Sequence, residues 1–427
     1  MGWKSLAGVV CALGLAAPSA GQSPSAAAPP VPSDEVIAAL PLDQRFLTLL
    51  MYGRYLDAFE LVEAASPDEV SDRVHSSYRQ HRPALDGFFY QDPAALPLPP
   101  PDPAELAAYD GAVAKEAIRV IVDRARERRV VIINEAHDSP RDRAFILKVA
   151  EALRPLGFTH YAAETFTNFR PDVAAEEMSW LESEGYPRRN TGTYTIDPMF
   201  GYLVRRAMTL GYRPVAYEAA YKPEENSLSQ EEQIVAREQA QAENLARALA
   251  AAGPDAKFLI HVGYGHAAER PLPPGEVEWM AARLARLTDL DPLTIDQTEV
   301  SEVALRPQGR ALHRALASRL RGGPMVFMKG DTPVATGRLG GATDLQVVHP
   351  DVIAVDGRPD YLRETGRRSI AIPQELLPAE GRRLVQVFAA GEAPDAIPLD
   401  QTLVIAGGEP PVLYVPDNVE LRWAVQP

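Results

Sequence analysis

Apolar and polar positions along this chain follow two rhythms: a three-to-four-residue spacing over long stretches, and short unbroken apolar runs between them. The first is the signature of a helix with one buried face, and the second of a strand covered on both faces. From Ala104 the order is a helix to about Arg128, a strand Val130 to Asn134, a helix Pro140 to Pro155 stopped by Gly157, and a strand His160 to Glu164. A helix around Phe200 to Leu210, stopped by Gly211, leads into a strand Pro214 to Glu218. The helix Gln230 to Ala252, stopped by Gly253-Pro254, leads into a strand Lys257 to Val262. Repeated helix-then-strand units predict an α/β fold with a mostly parallel central sheet and flanking helices.

On either side of this core the pattern changes. Helical spacing in Asp34 to Asp92 (Phe46, Leu49, Leu50, Tyr52; Leu56, Phe59, Leu61, Val62) predicts a helical N-terminal region. It ends in Leu96-Pro-Leu-Pro-Pro-Pro-Asp-Pro103, a stiff spacer that places a boundary near 103. Asn168 to Pro198 is long and irregular at its end, as substrate loops are. After Asp289 the apolar runs shorten (Met325 to Met328, Leu384 to Phe388, Thr402 to Ile405, Val412 to Val415). The span 291–427 therefore reads as a β-rich completion or second lobe beside a 104–290 core.

Composition narrows the class. With 46% hydrophobic and 24% charged residues over 427 positions the chain can bury a substantial core. Residues 1–21 carry one lysine, an apolar run from Leu6 to Ala17 and then small residues, the pattern of a cleaved export signal, and 22–33 form an Ala/Pro/Ser tether. The expected location is the periplasm or the medium. The single cysteine, Cys11, lies inside that signal, so neither thiolate catalysis nor a cysteine metal site is expected. A formal charge of -15 argues against a nucleic-acid partner, and no apolar stretch after the signal is long enough to span a bilayer. A small-molecule or peptide substrate is expected.

Candidate chemistry sits where strands end. Val130-Val-Ile-Ile-Asn-Glu-Ala-His137 passes from β-branched residues straight to a carboxylate and an imidazole. Ser139-Pro140-Arg141-Asp142 then looks like a helix start with Ser139 as N-cap. Glu164 and Glu218 follow the next two strands, and His261-Val-Gly-Tyr-Gly-His266 spans the end of the fourth. In a parallel sheet with right-handed crossovers these ends share one edge. Together they supply a general base, its orienting carboxylate and donors for a divalent metal, with Glu135, His137 and His266 the candidate ligands. Arg141 and Arg143 are candidates for stabilising an oxyanion, helped by free helix N-terminal amides. Glu218, Tyr264, Tyr194 and His261 are candidate substrate contacts, His261 being equally readable as a core histidine and Tyr264 as packing. His75, His81, His160, His313 and His349 have no motif around them and read as structural or surface residues. There is no Gly-x-Ser-x-Gly elbow, His-Glu-x-x-His helix, Walker loop or Rossmann fingerprint.

Taken in order, Asn134-Glu-Ala-His137, Gly157-Phe158 with Ala162-Ala-Glu164, Arg237-Glu238 with Asn244-Leu245, and His261 to His266 resemble the erythromycin esterase-like and ChaN-like superfamily, which is itself similar to the TraB and TIKI proteins. The likeness covers roughly 115–268. It differs in Asn134, where those proteins usually have glycine, and its Glu-x-His spacing is nearer the ChaN-like pattern. The resemblance implies water-dependent opening of an ester, lactone or amide. His137 would be the general base, Glu135 or Glu164 its orienter, His266 a second acid/base or ligand, and Arg141 or Arg143 an electrostatic stabiliser. Its ChaN-like branch implies the alternative of haem or metal binding without turnover.

Overall fold

The computed structural model describes residues 32–90, 97–166, 171–220, 222–272, 277–320 and 322–427. The expected export signal and nearly all of the expected tether lie outside the described residues. Nine strands form the central sheet: β1 (Val113–Glu116), β2 (Val130–Glu135), β3 (Phe158–Ala163), β4 (Arg213–Val215), β5 (Lys257–Gly263), β6 (Leu293–Asp296), β7 (Met325–Lys329), β8 (Thr332–Pro333) and β9 (Leu345–Val348). They lie in the order β1-β7-β9-β6-β2-β5-β3-β4, with β8 paired to β7. The run from β9 to β4 is parallel, and β1, β7 and β8 close one edge antiparallel. The expected α/β class, with a mostly parallel sheet, is the observed one.

Both faces are covered, as the unbroken apolar strands require. Val131 and Ile133 of β2 face a core built with the helices Ala117–Ala125, Pro140–Leu153 and Pro198–Thr209. Val130 and Ile132 face the opposite core, built with Gln230–Ala252 and Met280–Thr288. Each of these β2 side chains is at most 1% exposed, and burial on this scale contributes about 1.5–3 kcal/mol per side chain. The alternation also settles where the polar end of β2 points: Asn134 to the second face, Glu135 to the first.

Several boundaries differ from the sequence reading. The helix expected from Ala104 to Arg128 is broken into Pro103–Ala107, the edge strand β1 and Ala117–Ala125. Gly111 sits at φ +72°, a left-handed turn no helix interior holds, and the Glu116 carboxylate accepts from Ile118 and Arg119 N–H to restart the helix. β4 ends at Val215, so Glu218 stands in the loop beyond it. Within 168–198, residues Pro171–Glu184 are helical before the irregular part begins. The sheet also continues past residue 290 through β6, β7 and β9.

The remaining strands are short and antiparallel: β10 (Ala354–Val355) with β11 (Arg358–Pro359), β12 (Arg368–Ile370) with β15 (Leu413–Val415), and β13 (Arg382–Ala389) between β14 (Asp400–Ile405) and β16 (Leu421–Gln426). The N-terminal helices, Asp34–Ala38 to Asp72–His81, bury their apolar faces together with Ile196 and Leu384. Gln426 fastens β16 to the N-terminal helices, accepting from Leu56 N–H at 2.9 Å and donating to the Gly53 carbonyl at 2.7 Å. Among the described residues no helix is long and apolar enough to cross a membrane.

Candidate active site

Four strand ends bring the expected carboxylates and imidazoles to the carboxyl edge of the parallel sheet. β2 carries Glu135, with His137 two residues on; Glu164 immediately follows β3; β5 ends at Gly263 and turns through Tyr264–Ala267 to place His266; Glu218 follows β4. As expected, Ser139 caps the helix after β2, its hydroxyl accepting from Asp142 N–H, with Pro140 in the first turn.

Glu135 is 2% exposed and fully occupied. Arg143 Nε donates to its Oε2 at 2.7 Å and Nη2 to its Oε1 at 3.1 Å, while His137 Nδ1 lies 3.1 Å from Oε1. His261 Nε2 lies 3.0 Å from Oε2. Burial works against the charge, but Arg143 and then His261 and His137 outweigh it and hold the carboxyl well below its ordinary range. His137 is thereby oriented through Nδ1, and its Nε2 has no hydrogen-bond partner among the described residues. The ring stacks on Tyr194 (centroids 4.0 Å apart, planes at 15°), and Tyr264 meets it edge-on at 5.0 Å.

Across from Nε2 stands a second carboxylate–imidazole pair. His266 Nδ1 lies 2.9 Å from the Glu238 carboxylate, and its Nε2 lies 3.4 Å from Glu164 Oε1. Burial disfavours the imidazolium, but Glu238 and then Glu164 raise the His266 pKa above its ordinary value. For Glu164, burial is outweighed by His266, Arg237 and His137, so its pKa is lowered. Arg237 ties the cluster together, donating at 2.5 Å to both Glu164 and Glu218. Gly263 lets the halves approach. A Cβ there would sit 2.4 Å from His137 Cε1, 2.6 Å from His137 Nε2 and 3.0 Å from Glu164 Oε2, and the Gly263 N–H donates to Glu164 Oε2 at 2.5 Å.

Glu135, His137, Glu164 and His266 thus converge, and other expected roles need correcting. Arg143 does not face a substrate; it is buried and spent on Glu135, on Asp197 at 2.7 Å and on the His137 carbonyl. Arg141 points away, donating to Glu302 at 2.7 Å and to the Pro350 carbonyl, under Phe89. His261, 2% exposed and stacked on Phe200, lies beneath Glu135 rather than on a substrate surface. Glu218 accepts from Arg237 and Gln241, supporting the guanidinium rather than a ligand. Tyr194 and Tyr264 pack on His137; Tyr264 does so at φ 39°, a conformation non-glycine residues seldom hold, and its hydroxyl accepts the His137 N–H at 3.3 Å. His81, read as a structural or surface residue, is 5% exposed and stacks on the far face of that assembly against Tyr194 (5.9 Å).

The implied groups can be tested against this geometry. Glu135, His137 and His266 do not form one donor set, because both Glu135 oxygens are taken by Arg143 and the histidines. Among the described residues no three His, Cys, Asp or Glu side chains are grouped to hold an ion. Nor do the surroundings of His137 Nε2 fit a porphyrin: Glu164, Arg237 and His266 make them ionic, where such a ligand takes a largely apolar slot.

No family model matches the chain, and no curated protein matches it. Solved structures similar in part include RRSP, a MARTX toxin effector domain from Vibrio vulnificus CMCP6 (19% identity, 45% of this chain and 38% of that one, TM-score 0.32). Others are the type III effector HopBA1 (14%, 61% and 100%, 0.30) and the C-terminal region of Pasteurella multocida toxin, described with a thiol-protease like catalytic triad (10%, 87% and 53%, 0.30). The chain therefore spans well under half the length of the first. At these scores the likenesses carry no argument about what this chain does.

Proposed function

We propose that this chain is a hydrolase of the erythromycin esterase-like/ChaN-like type that activates water to cleave an ester, lactone or amide. One observation carries the reading: His137 is held through Nδ1 by an ionised, fully bonded Glu135, while its Nε2 has no hydrogen-bond partner among the described residues and lies opposite Glu164 and His266. A carboxylate-oriented imidazole with an open Nε2 is the arrangement of a general base. In the proposed reaction Nε2 takes a proton from water as its oxygen attacks the acyl carbon, and Glu135 stabilises the imidazolium that forms. The C–O or C–N bond then breaks, and the leaving group takes a proton from His266, whose raised pKa favours the charged form. Arg237, rather than Arg141 or Arg143, is the guanidinium beside this space, and its charge would oppose the developing oxyanion.

The test is turnover of a panel of p-nitrophenyl esters, a macrolide lactone and a peptide mixture. His137→Ala and Glu164→Gln are expected to lower the rate by at least about 100-fold, with a melting temperature within a few degrees of the parent. Unchanged turnover in His137→Ala, or no hydrolysis of any member by the parent protein, sinks the reading.

A further inference from the structure

The turn that carries His266 starts on a residue held against its own preference. Tyr264 stands at φ 39° between Gly263 and Gly265. Glycine would take this left-handed conformation without strain, whereas a bulky side chain rarely does, and such residues persist only where their surroundings over-determine them. The Tyr264 hydroxyl accepts the His137 N–H at 3.3 Å and its ring meets His137 edge-on. Two residues on, the same turn, Tyr264–Ala267, delivers His266. One backbone conformation therefore bears on both imidazoles of the site.

Asn134 grips that turn. Its Oδ1 accepts the Gln297 N–H at 2.8 Å, and its Nδ2 donates to the Tyr264 carbonyl at 2.8 Å. Both partners are backbone groups with a single role each, so the side-chain amide can stand only one way round. Nδ2 also donates to Asp296 Oδ1 at 2.9 Å, with the Thr298 hydroxyl alongside at 3.2 Å. Asp296 is itself anchored by the Thr298 N–H and by Gln346 Nε2, each at 2.9 Å. Asn134 and Asp296 are both 0% exposed. Because β2 lies between β5 and β6, those two strands share no ladder, and the side chain of Asn134 links the turn after β5 to the end of β6.

We propose that Asn134, braced by Asp296, is a positioning residue that holds Tyr264 in its left-handed conformation and so fixes the spacing between His137 and His266. Without that grip Tyr264 relaxes to negative φ, its ring and hydroxyl leave His137, and the turn carries His266 out of line with Glu164 and Glu238. Asn134 has no exposed surface, carries no charge and holds no proton that the reaction moves. Its effect on turnover comes through geometry alone.

This rests on the hydrolase reading for its purpose but not for its test. In parent protein labelled with 15N-asparagine, the Asn134 side-chain amide should exchange its hydrogens at least about 100-fold more slowly than an exposed asparagine, because both are bonded in a buried place. A crystal structure of Asn134→Ala should show Tyr264 at negative φ with its hydroxyl away from His137. In the same variant labelled with 15N-histidine, the His137 amide signal should move while that of the distant His75 stays. On any substrate the parent turns over, kcat should fall about 10- to 100-fold with KM within about threefold, as displaced catalytic groups do. An Asn134→Ala structure with Tyr264 still at its left-handed φ and on His137 overturns the proposal. So does a parent whose Asn134 amide exchanges as fast as an exposed one, and that result decides even if the variant fails to fold. The absence of turnover on every substrate would count against the hydrolase reading while leaving the exchange and structural measurements to stand or fall alone.

Discussion

At the scale of single residues, the site depends as much on what is missing as on what is present. Gly263 has no side chain, and His137 and Glu164 occupy the space one would fill. Gly263→Ala is expected to abolish detectable hydrolysis while costing only about 1–3 kcal/mol of stability, as overpacked sites do; urea titration beside the ester assay separates the two. Asp142 makes a second test. It is wholly buried, and burial outweighs Arg141 and the Ala136 N–H to raise its pKa from 3.8 to about 7. For a raised carboxyl the stabilisation is complete below the unfolded value and is lost as pH rises through the folded one. The parent should therefore lose stability between about pH 4 and 7 through this group. In Asp142→Asn, denaturation midpoints across that range should fall with a slope smaller by about one proton. Glu135, His137, Glu164 and His266 were legible because polar groups at the ends of apolar strands stand out. Glu238 left a fainter signal, a charged residue on the stripe shared by Ala242, Leu245 and Leu249. Tyr161, whose hydroxyl lies 2.8 Å from His261 Nδ1, left none, since an aromatic residue inside a strand reads as packing until its cross-strand neighbour is known.

At the scale of elements, the helix-to-strand units could be read because the helices before β3, β4 and β5 are stopped by Gly157, Gly211 and Gly253 and β2 is an unbroken apolar run up to Asn134. The edge strand β1 was not legible: its four residues are all exposed, so no burial pattern marks them. The loop from Pro187 to Asp197 was recognised as irregular, but not as the wall that holds Tyr194 on His137. Gly192 lets it approach β3, since a Cβ there would sit 2.1 Å from the Thr165 carbonyl oxygen, and the Thr165 hydroxyl accepts the Tyr194 N–H at 2.8 Å. Gly192→Ala should push the loop outward. The His137 ring protons, shielded by the stacked phenol, should then move downfield toward free-histidine positions; an unchanged spectrum would show that the stack does not depend on this contact.

At the scale of the whole molecule, both flanks of the core converge on that loop. Arg189 N–H donates to the Asp395 carbonyl and Ile397 N–H to the Pro187 carbonyl, each at 3.0 Å, while Ile196 lies among the N-terminal helices. Reading the two flanks as separate regions missed this, because nothing local in residues 34–103 or 291–427 records that they share a core. Gln426 offers a direct test. Its side-chain amide reaches Gln386 at 3.0 Å besides Gly53 and Leu56. Gln426→Ala is expected to lower the unfolding free energy by about 2 kcal/mol in urea, and a loss below about 0.5 kcal/mol would make the clasp incidental.

That clasp also sets an order in time. The helices around Phe46 and Phe59 are made early, but Leu384 and Gln426, against which they settle, leave the ribosome hundreds of residues later. Contacts that span nearly the whole chain close slowly, because the loop entropy is lost before they form. The wall over His137 is likewise late to assemble, and a nascent chain stays without a finished site until Asp395 and Ile397, which hold that wall, have emerged.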